Sequence, residues 1–304
     1  MFIKLKDFYK KHFSKVKFYD RILWKSYLAV LGLFSSLITI ISFFATAQGL
    51  ETKTFVFLIL IFCLLLIGIF ILMWWNANHL KSAYLNINNT QIEISIGNIF
   101  HSLENNLNGK TDPLNVIASN EYFDLIADNR LVSCKSLHGQ YIKKLDEQGK
   151  LSALDNVIAS DEILNRNGNY EDVPNRKSGR KTRYSIGSVV EFESYVLTAF
   201  TKVDEHNKAS LTAEEYTGFW MQFWENIDEI FAGRSINLPL IGAGLTRFKN
   251  GKPSKQELLE IMIWTLKISG FHNTYSDEKI SIIIYEADAK YINFYHIQHN
   301  SNFK

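Results

Sequence analysis

The sequence predicts an α/β fold, a layered sheet with helices on both faces, preceded by a hairpin of two membrane-spanning helices. There is no charged residue between Lys25 and Glu51, and none between Lys53 and Lys81. Each interval is long enough to cross the roughly 30 Å hydrocarbon layer as a helix. From Tyr84 onward, strand-like segments alternate with segments of helical periodicity, which is typical of an α/β domain.

The charge of the chain is unevenly distributed. Residues 1–25 carry eight Lys or Arg side chains and two Asp side chains, whereas the remainder carries a net charge of −4. The large domain therefore lacks the basic profile of a nucleic-acid-binding protein. Aromatic residues among the N-terminal lysines leave two interpretations open: an interfacial helix at the bilayer boundary, or a cytoplasmic flank that orients the hairpin.

These observations predict three parts: a basic segment (1–25), a transmembrane hairpin (26–80) and a soluble domain (81–304). The two spans cover about residues 26–48 and 54–78, and residues Gly49 to Lys53 are too few for more than a hairpin loop. Because basic flanks stay in the cytoplasm, both termini are expected there, as in a multi-pass protein of the cell membrane. Neither span contains an ionisable Asp, Glu, Lys or Arg, which argues against a transport pathway lined by one copy and leaves a plain anchor as one interpretation.

Several elements of the soluble domain are predictable in chain order. Ile92, Ile94 and Ile96 alternate with polar residues and predict a half-buried strand. The further predictions are a strand at Leu114–Asn120, a turn into a helix at Ser136–Ile142, an exposed loop at Asn165–Arg183, a strand at Tyr195–Thr201 and a strand at Lys279–Tyr285. Capping boxes predict helices that begin after Thr212 and after Ser254. The first of these helices has a broad aromatic face, which indicates a place in the core.

The segment Ile236–Phe248 begins as a buried strand and continues into two glycines, Gly242 and Gly244. Glycines at the carboxyl end of a strand allow a sharp turn and bring backbone N–H groups close to a ligand oxygen, usually that of a phosphate. A tight turn without a ligand is the alternative.

The sequence contains no recognisable catalytic or metal-binding constellation. G-x-S-x-G, H-E-x-x-H, P-loop and C-x-x-C patterns are absent, the eight histidines are scattered, and Cys63 and Cys134 have no evident partner. We therefore predict no catalytic residues, no metal site and no cofactor, and no motif supports an enzyme.

Four short segments lie where strands end or helices begin. They are Gly97–Ile99 (GNI), Val116–Asn120 (VIASN), Leu137–Gln140 (LHGQ) and Leu238–Leu245 (LPLIGAGL). In this order they resemble the adenine-binding G-D-I turn, the V-N-A-A-N strand and the two phosphate loops of macro domains, the ADP-ribose-binding α/β modules. The resemblance covers roughly residues 84–290 and predicts a macro-domain-like fold.

The resemblance also implies which residues contact a ligand. Asn98 stands where the family has an adenine-binding aspartate, and Asn120 would lie beside the distal ribose. The complete implied set is Asn98, Ile99, Asn120, His138, Gly139, Gln140, Gly242, Ala243, Gly244, Leu245, Thr246, Arg247 and Phe248. Two departures argue against ADP-ribosyl hydrolysis: only Gly139 remains of the glycine triplet of hydrolytic macro domains, and Ile117 replaces the first Asn of N-A-A-N.

A hairpin followed by a divergent macro domain resembles a narrower group, the membrane-anchored effectors of the bacterial type II Thoeris antiphage system. The resemblance implies a partner with a TIR domain that consumes NAD and produces histidine-conjugated ADP-ribose. Binding of this signal would drive homo-oligomerisation, disruption of the inner-membrane bilayer and abortive infection. The alternatives are a membrane-tethered ADP-ribosyl hydrolase, a general ADP-ribose reader, and an anchor whose α/β domain binds a protein.

Overall fold

The computed structural model describes residues 7–9, 12–47, 52–100, 112–166, 168–272 and 278–303. Within them the chain separates into two compact units. The first unit contains residues up to 83 together with 293–301, and the second contains 84–292 with the last residues of the chain. Residues 293–301 therefore pack with the N-terminal unit, a difference from the predicted soluble domain 81–304. Residues 49–51 of the predicted hairpin loop, together with Gln48 of the first predicted span, lie outside the described residues.

Two long helices dominate the first unit: α1 (Arg21–Ala47) and α2 (Thr52–His79). By length and composition, Arg21–Ile40 and Val56–His79 could each cross a membrane. Helix α1 begins before the predicted span, because the Asp20 side chain accepts hydrogen bonds from the N–H groups of Ile22 and Leu23 at 2.9 and 3.1 Å. The two helices are joined side by side by Tyr27, whose hydroxyl donates to the carbonyl oxygen of Leu66 at 3.1 Å.

The second unit is built around one sheet. Its strands are β1 (Ser82–Ile87), β2 (Thr90–Ile96), β3 (Leu114–Asn120), β6 (Val189–Phe192), β7 (Tyr195–Val203), β8 (Ala209–Leu211), β9 (Ile236–Pro239), β10 (Arg247–Phe248) and β11 (Lys279–Ile284). The separate pair β4 (Tyr170–Asp172) and β5 (Thr182–Tyr184) is antiparallel. The helices are α3 (Leu137–Glu147), α4 (Leu151–Ser160), α5 (Ala213–Ile230) and α6 (Lys255–Ser269), and a short helix α7 (Phe294–His299) belongs to the first unit.

The strand order of the sheet is β1-β2-β11-β9-β3-β7-β8-β10, with β6 beside β7. Neighbours from β2 through β7 are parallel, so their carboxyl ends meet at one edge. Strand β8 is antiparallel to β7, and β10 is parallel to β8. The parallel strands read as nearly continuous apolar runs because both faces of the sheet are covered.

Helix α5 buries the aromatic face that the sequence predicts. Tyr216, Phe219, Trp220, Phe223 and Trp224 are each at most 1% exposed. The indole N–H of Trp224 donates to the hydroxyl of Thr265 on α6 at 3.2 Å. Both predicted capping boxes, at Thr212 and Ser254, are present and confirm where α5 and α6 begin.

The prediction of one long exposed loop at Asn165–Arg183 is wrong in part. Strand β4 and the first two residues of β5 lie inside it, and β5 ends just beyond it at Tyr184, which is buried against Phe123 at a ring distance of 5.4 Å. The sequence did not predict this strand pair, because β4 is exposed along its whole length and therefore lacks the alternation of apolar and polar residues that marks a half-buried strand.

Candidate functional site

A cavity of about 580 Å³ opens at the carboxyl ends of the parallel strands. This edge of an open α/β sheet is where ligands usually bind, and the volume lies in the range of small-molecule sites. The residues after β2, at the end of β3, at the end of β7 and after β9 all contribute to its wall, together with the first turn of α3.

The structure brings together most of the residues that the sequence predicts. The predicted residues that line the cavity are Asn98, Ile99, Asn120, His138, Gln140, Gly242, Ala243, Gly244, Leu245 and Thr246. Gly139, Arg247 and Phe248 do not line it: Gly139 packs behind the wall, and Arg247 and Phe248 form β10 beside β8. Ligand contact by these three residues stays a prediction.

The turn after β9, which we call the cavity loop (Leu240–Thr246), depends on one glycine. Gly242 has a φ of 87°, in the left-handed region that side chains other than glycine rarely adopt. A Cβ atom at this position would lie 3.1 Å from the ring of Tyr216. Gly244 is different, since a Cβ atom there would meet nothing within 4 Å. The conformation of the turn therefore requires a glycine at position 242, whereas there is space for a side chain at position 244.

Two side chains hold the cavity loop from behind. The hydroxyl of Tyr216 donates to the carbonyl oxygen of Ile241 at 2.9 Å, and the Lys252 ammonium donates to the carbonyl oxygens of Ala243 and Gly244 at 3.1 and 2.8 Å. Burial lowers the pKa of Lys252, and the nearby Lys255 acts in the same direction. Neither Tyr216 nor Lys252 lines the cavity.

The contacts of Lys252 orient two peptide groups of the loop. In a trans peptide the carbonyl and the following N–H point in opposite directions. Because the carbonyls of Ala243 and Gly244 both point to Lys252, the N–H groups of Gly244 and Leu245 point to the other side. Successive N–H groups aligned in this way form an anion-binding concavity.

The amino end of helix α3 supplies a second set of N–H groups. Ser136 caps this helix, with its hydroxyl accepting from the N–H of Gly139 at 3.0 Å. The first N–H groups of a helix have no intrahelical acceptor and carry the positive end of the helix dipole. Gly139 is required for packing, since a Cβ atom would come within 2.1 Å of the Ser133 carbonyl oxygen. Ser136, Leu137 and His138 line the cavity with this helix end.

His138 is a buried titratable group in the wall. Its side chain lies close to Ser119, with Oγ 3.3 Å from Nε2 and 3.4 Å from Nδ1. Because the two distances are nearly equal, they do not favour either ring nitrogen as the hydrogen-bond partner of Oγ. Burial lowers the pKa of His138 to about 4, although Asp124 opposes the shift, so the ring is neutral near pH 7.

Asn120 lines the cavity, but its side chain is engaged inside the domain. Its Nδ2 donates to Asp124 Oδ2 at 2.8 Å, and its Oδ1 accepts from the N–H groups of Tyr122 and Asp124. Asp124 is fully buried and receives both terminal nitrogens of Arg176 at 2.8 and 2.7 Å. Asn120 therefore shapes the end of β3, and its predicted contact with a ribose stays a prediction.

The turn after β2 carries the predicted adenine-side residues. Asn98 is exposed, and its side-chain oxygen accepts from the N–H of Phe100 at 3.1 Å, while Ile99 is buried. Strand β11 is adjacent to β2, so Ile283 and Tyr285 line the same part of the cavity.

Charged side chains are few in the described part of the cavity wall. Lys135 contributes a cation, and Asp288 contributes a carboxylate that is paired with Lys255. A ligand in the cavity would therefore meet mainly backbone N–H groups, side-chain amides and hydroxyls, and few charged side chains. Sequence reasoning missed Lys252 and Tyr216, because their part in the site depends on contacts between distant segments.

The sheet and its cavity define an α/β ligand-binding domain of the macro type. Residues 92–285 match the family described as the macro domain of the Thoeris protein ThsA. The Thoeris protein ThsA of Bacillus amyloliquefaciens (strain Y2) is 32% identical over 268 residues, which cover 88% of this chain and 87% of that protein. The chain therefore belongs to the ThsA macro-domain family.

Solved macrodomain structures from Oceanobacillus iheyensis are also similar. A single-residue variant has 16% sequence identity and a TM-score of 0.44, covering 72% of this chain and 96% of that chain. A form with MES bound has 16% identity and a TM-score of 0.38, covering 72% of this chain and 95% of that chain.

Proposed function

We propose that this protein is an antiphage defence effector whose cavity binds a nucleotide signal derived from ADP-ribose. Membership of the ThsA family supports the role in defence. The observation that carries the ligand class is the pair of N–H groups at Gly244 and Leu245, turned away from Lys252 at the edge of the cavity. Two such sets of N–H groups, the second at α3, suit the two phosphates of the diphosphate in ADP-ribose.

The remaining wall suits the other parts of ADP-ribose. Ile99, Ile283 and Tyr285 provide apolar and aromatic surface for a base, and Asn98 provides a polar group at the same end. On the resemblance, the group attached to the distal ribose is histidine, and a NAD-consuming enzyme with a TIR domain makes this conjugate. Binding drives self-association of the effector, and the assembled hairpins disrupt the inner membrane, with both termini in the cytoplasm.

The first experiment is calorimetric titration of the detergent-solubilised full chain with ADP-ribose, its histidine conjugate and NAD. Tight binding of the conjugate, with weaker binding of the other two, is expected. Equal affinity for plain ADP-ribose would favour a general reader. No heat with any of the three compounds would overturn the proposed ligand class.

An ADP-ribosyl hydrolase is the competing function, because Ser119 and the neutral His138 lie together in the cavity wall. Incubating the full chain with an ADP-ribosylated protein and measuring free ADP-ribose separates the two functions. We expect no release above the level of a Ser119→Ala variant.

A further inference from the structure

Three segments distant in sequence meet within the first unit. They are the N-terminal segment Lys15–Asp20, the end of α2 at Trp74–His79, and helix α7 with the preceding Asn293. We call the first two the hairpin base. The side-chain oxygen of Asn78 accepts from the N–H groups of Lys15 and Val16 at 3.0 and 2.9 Å, which fixes the N-terminal segment to α2.

Helix α7 docks on the hairpin base through polar and apolar contacts. His296 Nε2 lies 2.5 Å from Asp20 Oδ2, and the Asn293 amide donates to the Lys15 carbonyl oxygen at 2.9 Å. The hydroxyl of Tyr295 donates to Ser26 on α1 at 3.2 Å. The ring of Tyr295 is buried in one apolar cluster with Val16, Leu23 and Ala77.

Asp20 has two separate tasks in this arrangement. Its Oδ1 caps the first turn of α1, and its Oδ2 faces His296. A single carboxylate therefore joins the start of the first candidate span to the C-terminal helix. A change at His296 therefore affects the residue that caps the start of that span.

The C-terminal helix is suited to a conditional contact. It has six residues, and an isolated helix of that length is not stable in water, so its fold depends on docking. An element that is ordered when docked and disordered when released has two discrete states, as a switch requires.

The chain leads directly from the cavity to this helix. Tyr285 and Asp288 line the cavity, and Asn293 makes the first docking contact only five residues after Asp288. Residues Glu286–Tyr291 form a 3₁₀ helix. Only a few residues of the chain therefore connect the cavity wall to α7.

We propose that the docking of helix α7 on the hairpin base is an autoinhibitory clasp, which holds the hairpin in its resting state until a ligand in the cavity releases it. This proposal rests on the proposed function, since it assigns the regulation of the same cavity. A ligand shifts such an equilibrium only by binding the released state more tightly.

The test breaks the clasp without any ligand. The double variant H296A/Y295A is expressed as the full chain in a bacterial host that lacks the TIR partner, and membrane integrity is measured by dye uptake. A hydrogen bond to a charged group contributes enough to shift an equilibrium about tenfold. We therefore expect the fraction of dye-positive cells to be at least about tenfold higher than in the wild type.

Two further variants make the test specific. Gln298→Ala changes the same helix at a side chain that makes no hydrogen bond to the described residues, and is expected to match the wild type. Asp20→Asn keeps an N-cap acceptor and weakens only the contact with His296, so a smaller rise in the same direction is expected. Alkaline extraction verifies equal membrane insertion of all forms.

If H296A/Y295A is inserted at the wild-type level and dye uptake does not rise, the clasp is overturned. Titration of each solubilised form with ADP-ribose, its histidine conjugate and NAD separates this result from failure of the proposed function. Intact binding with unchanged dye uptake rejects the clasp alone, whereas absence of binding in every form, the wild type included, rejects the proposed ligand class.

Discussion

The hydroxyl of Tyr216 donates a 2.9 Å hydrogen bond to the carbonyl oxygen of Ile241, which connects the core helix α5 to the cavity loop. Tyr216 is fully buried, and the same hydroxyl also lies 3.3 Å from the carbonyl oxygen of Leu258 at the start of α6. One phenol therefore ties together two helices and the loop, and burial raises its pKa so that it remains a donor at any physiological pH.

Tyr216→Phe removes this donor from the buried carbonyl oxygen of Ile241. We expect the free energy of unfolding to fall by about 1–3 kcal/mol. The affinity for ADP-ribose is expected to fall several-fold, because the loop loses its support. Denaturant unfolding and calorimetry measure the two effects. Tyr170→Phe, at an exposed tyrosine, is the control and should change neither quantity.

Gly242 and Gly244 are expected to differ in their tolerance of alanine. Gly242→Ala forces a side chain into the left-handed region against the ring of Tyr216, and should lower the free energy of unfolding by about 1–2 kcal/mol. Gly244→Ala meets no atom and should leave stability unchanged. Equal destabilisation of both variants in chemical denaturation would contradict this account of the loop.

Lys252→Met removes the cation that orients the peptide groups of Ala243 and Gly244. Affinity is expected to fall about tenfold for ADP-ribose, as for the loss of a hydrogen bond to a charged group, and to stay unchanged for adenosine, which lacks phosphates. Lys249→Met, at an exposed lysine two residues beyond Arg247, is the matched control. Parallel loss of adenosine affinity in Lys252→Met would show a general collapse of the cavity and contradict the orienting role.

Asp124→Asn breaks a buried ion pair and leaves the Arg176 guanidinium without its counter-charge. Removing one partner of such a pair lowers the free energy of unfolding by about 3–5 kcal/mol. Asparagine has one acceptor oxygen in place of two for the donors of Asn120, Arg176 and Arg180, so the end of β3 is expected to loosen. Thermal unfolding measures the effect, and Asp228→Asn at an exposed carboxylate is the control. A fall in the free energy of unfolding of less than about 1 kcal/mol, as for a surface ion pair, would contradict this account of the buried pair.

The lowered pKa of His138 predicts that the free energy of unfolding depends on pH. Its pKa is lowered to about 4 by burial, below the value near 6.5 in the unfolded chain, so the unfolded state binds more protons between these values. The contribution of the neutral His138 side chain to the free energy of unfolding is complete above about pH 6.5. This contribution falls by up to about 3 kcal/mol as the pH decreases towards 4.

His138→Gln should flatten that part of the profile, measured by denaturant unfolding at several pH values. The control is His206→Gln, which changes an exposed loop and should keep the wild-type slope. An unchanged slope in His138→Gln would show that other groups cause the acid sensitivity.

Much of the fold was predictable from local patterns. Strand Leu114–Asn120 has the predicted bounds, and the capping boxes at Thr212 and Ser254 mark the helix starts, because alternation and capping depend on residues close in sequence. Helix α4 (Leu151–Ser160) was missed, since no capping side chain marks its start. The helix at Phe294–His299 was missed because it depends on contacts with Lys15–Ser26, far away in the sequence.

The candidate site divides in the same way. Ten of the thirteen predicted residues line the cavity, because glycine turns at strand ends are visible in the sequence and parallel strands bring their carboxyl ends together. The engagement of Asn120 with Asp124 was not predictable, because the carboxylate is held in place by Arg176, over fifty residues later.

The sequence by itself determined the two apolar helices, the α/β class, the order of the cavity turns and the family. Only the tertiary structure decided that Lys252 and Tyr216 support the cavity loop and that the C-terminal helix packs against Asp20. The physical reason is range: periodicity, capping and glycine turns act over a few residues, whereas hydrogen bonds between distant segments exist only once the chain is folded.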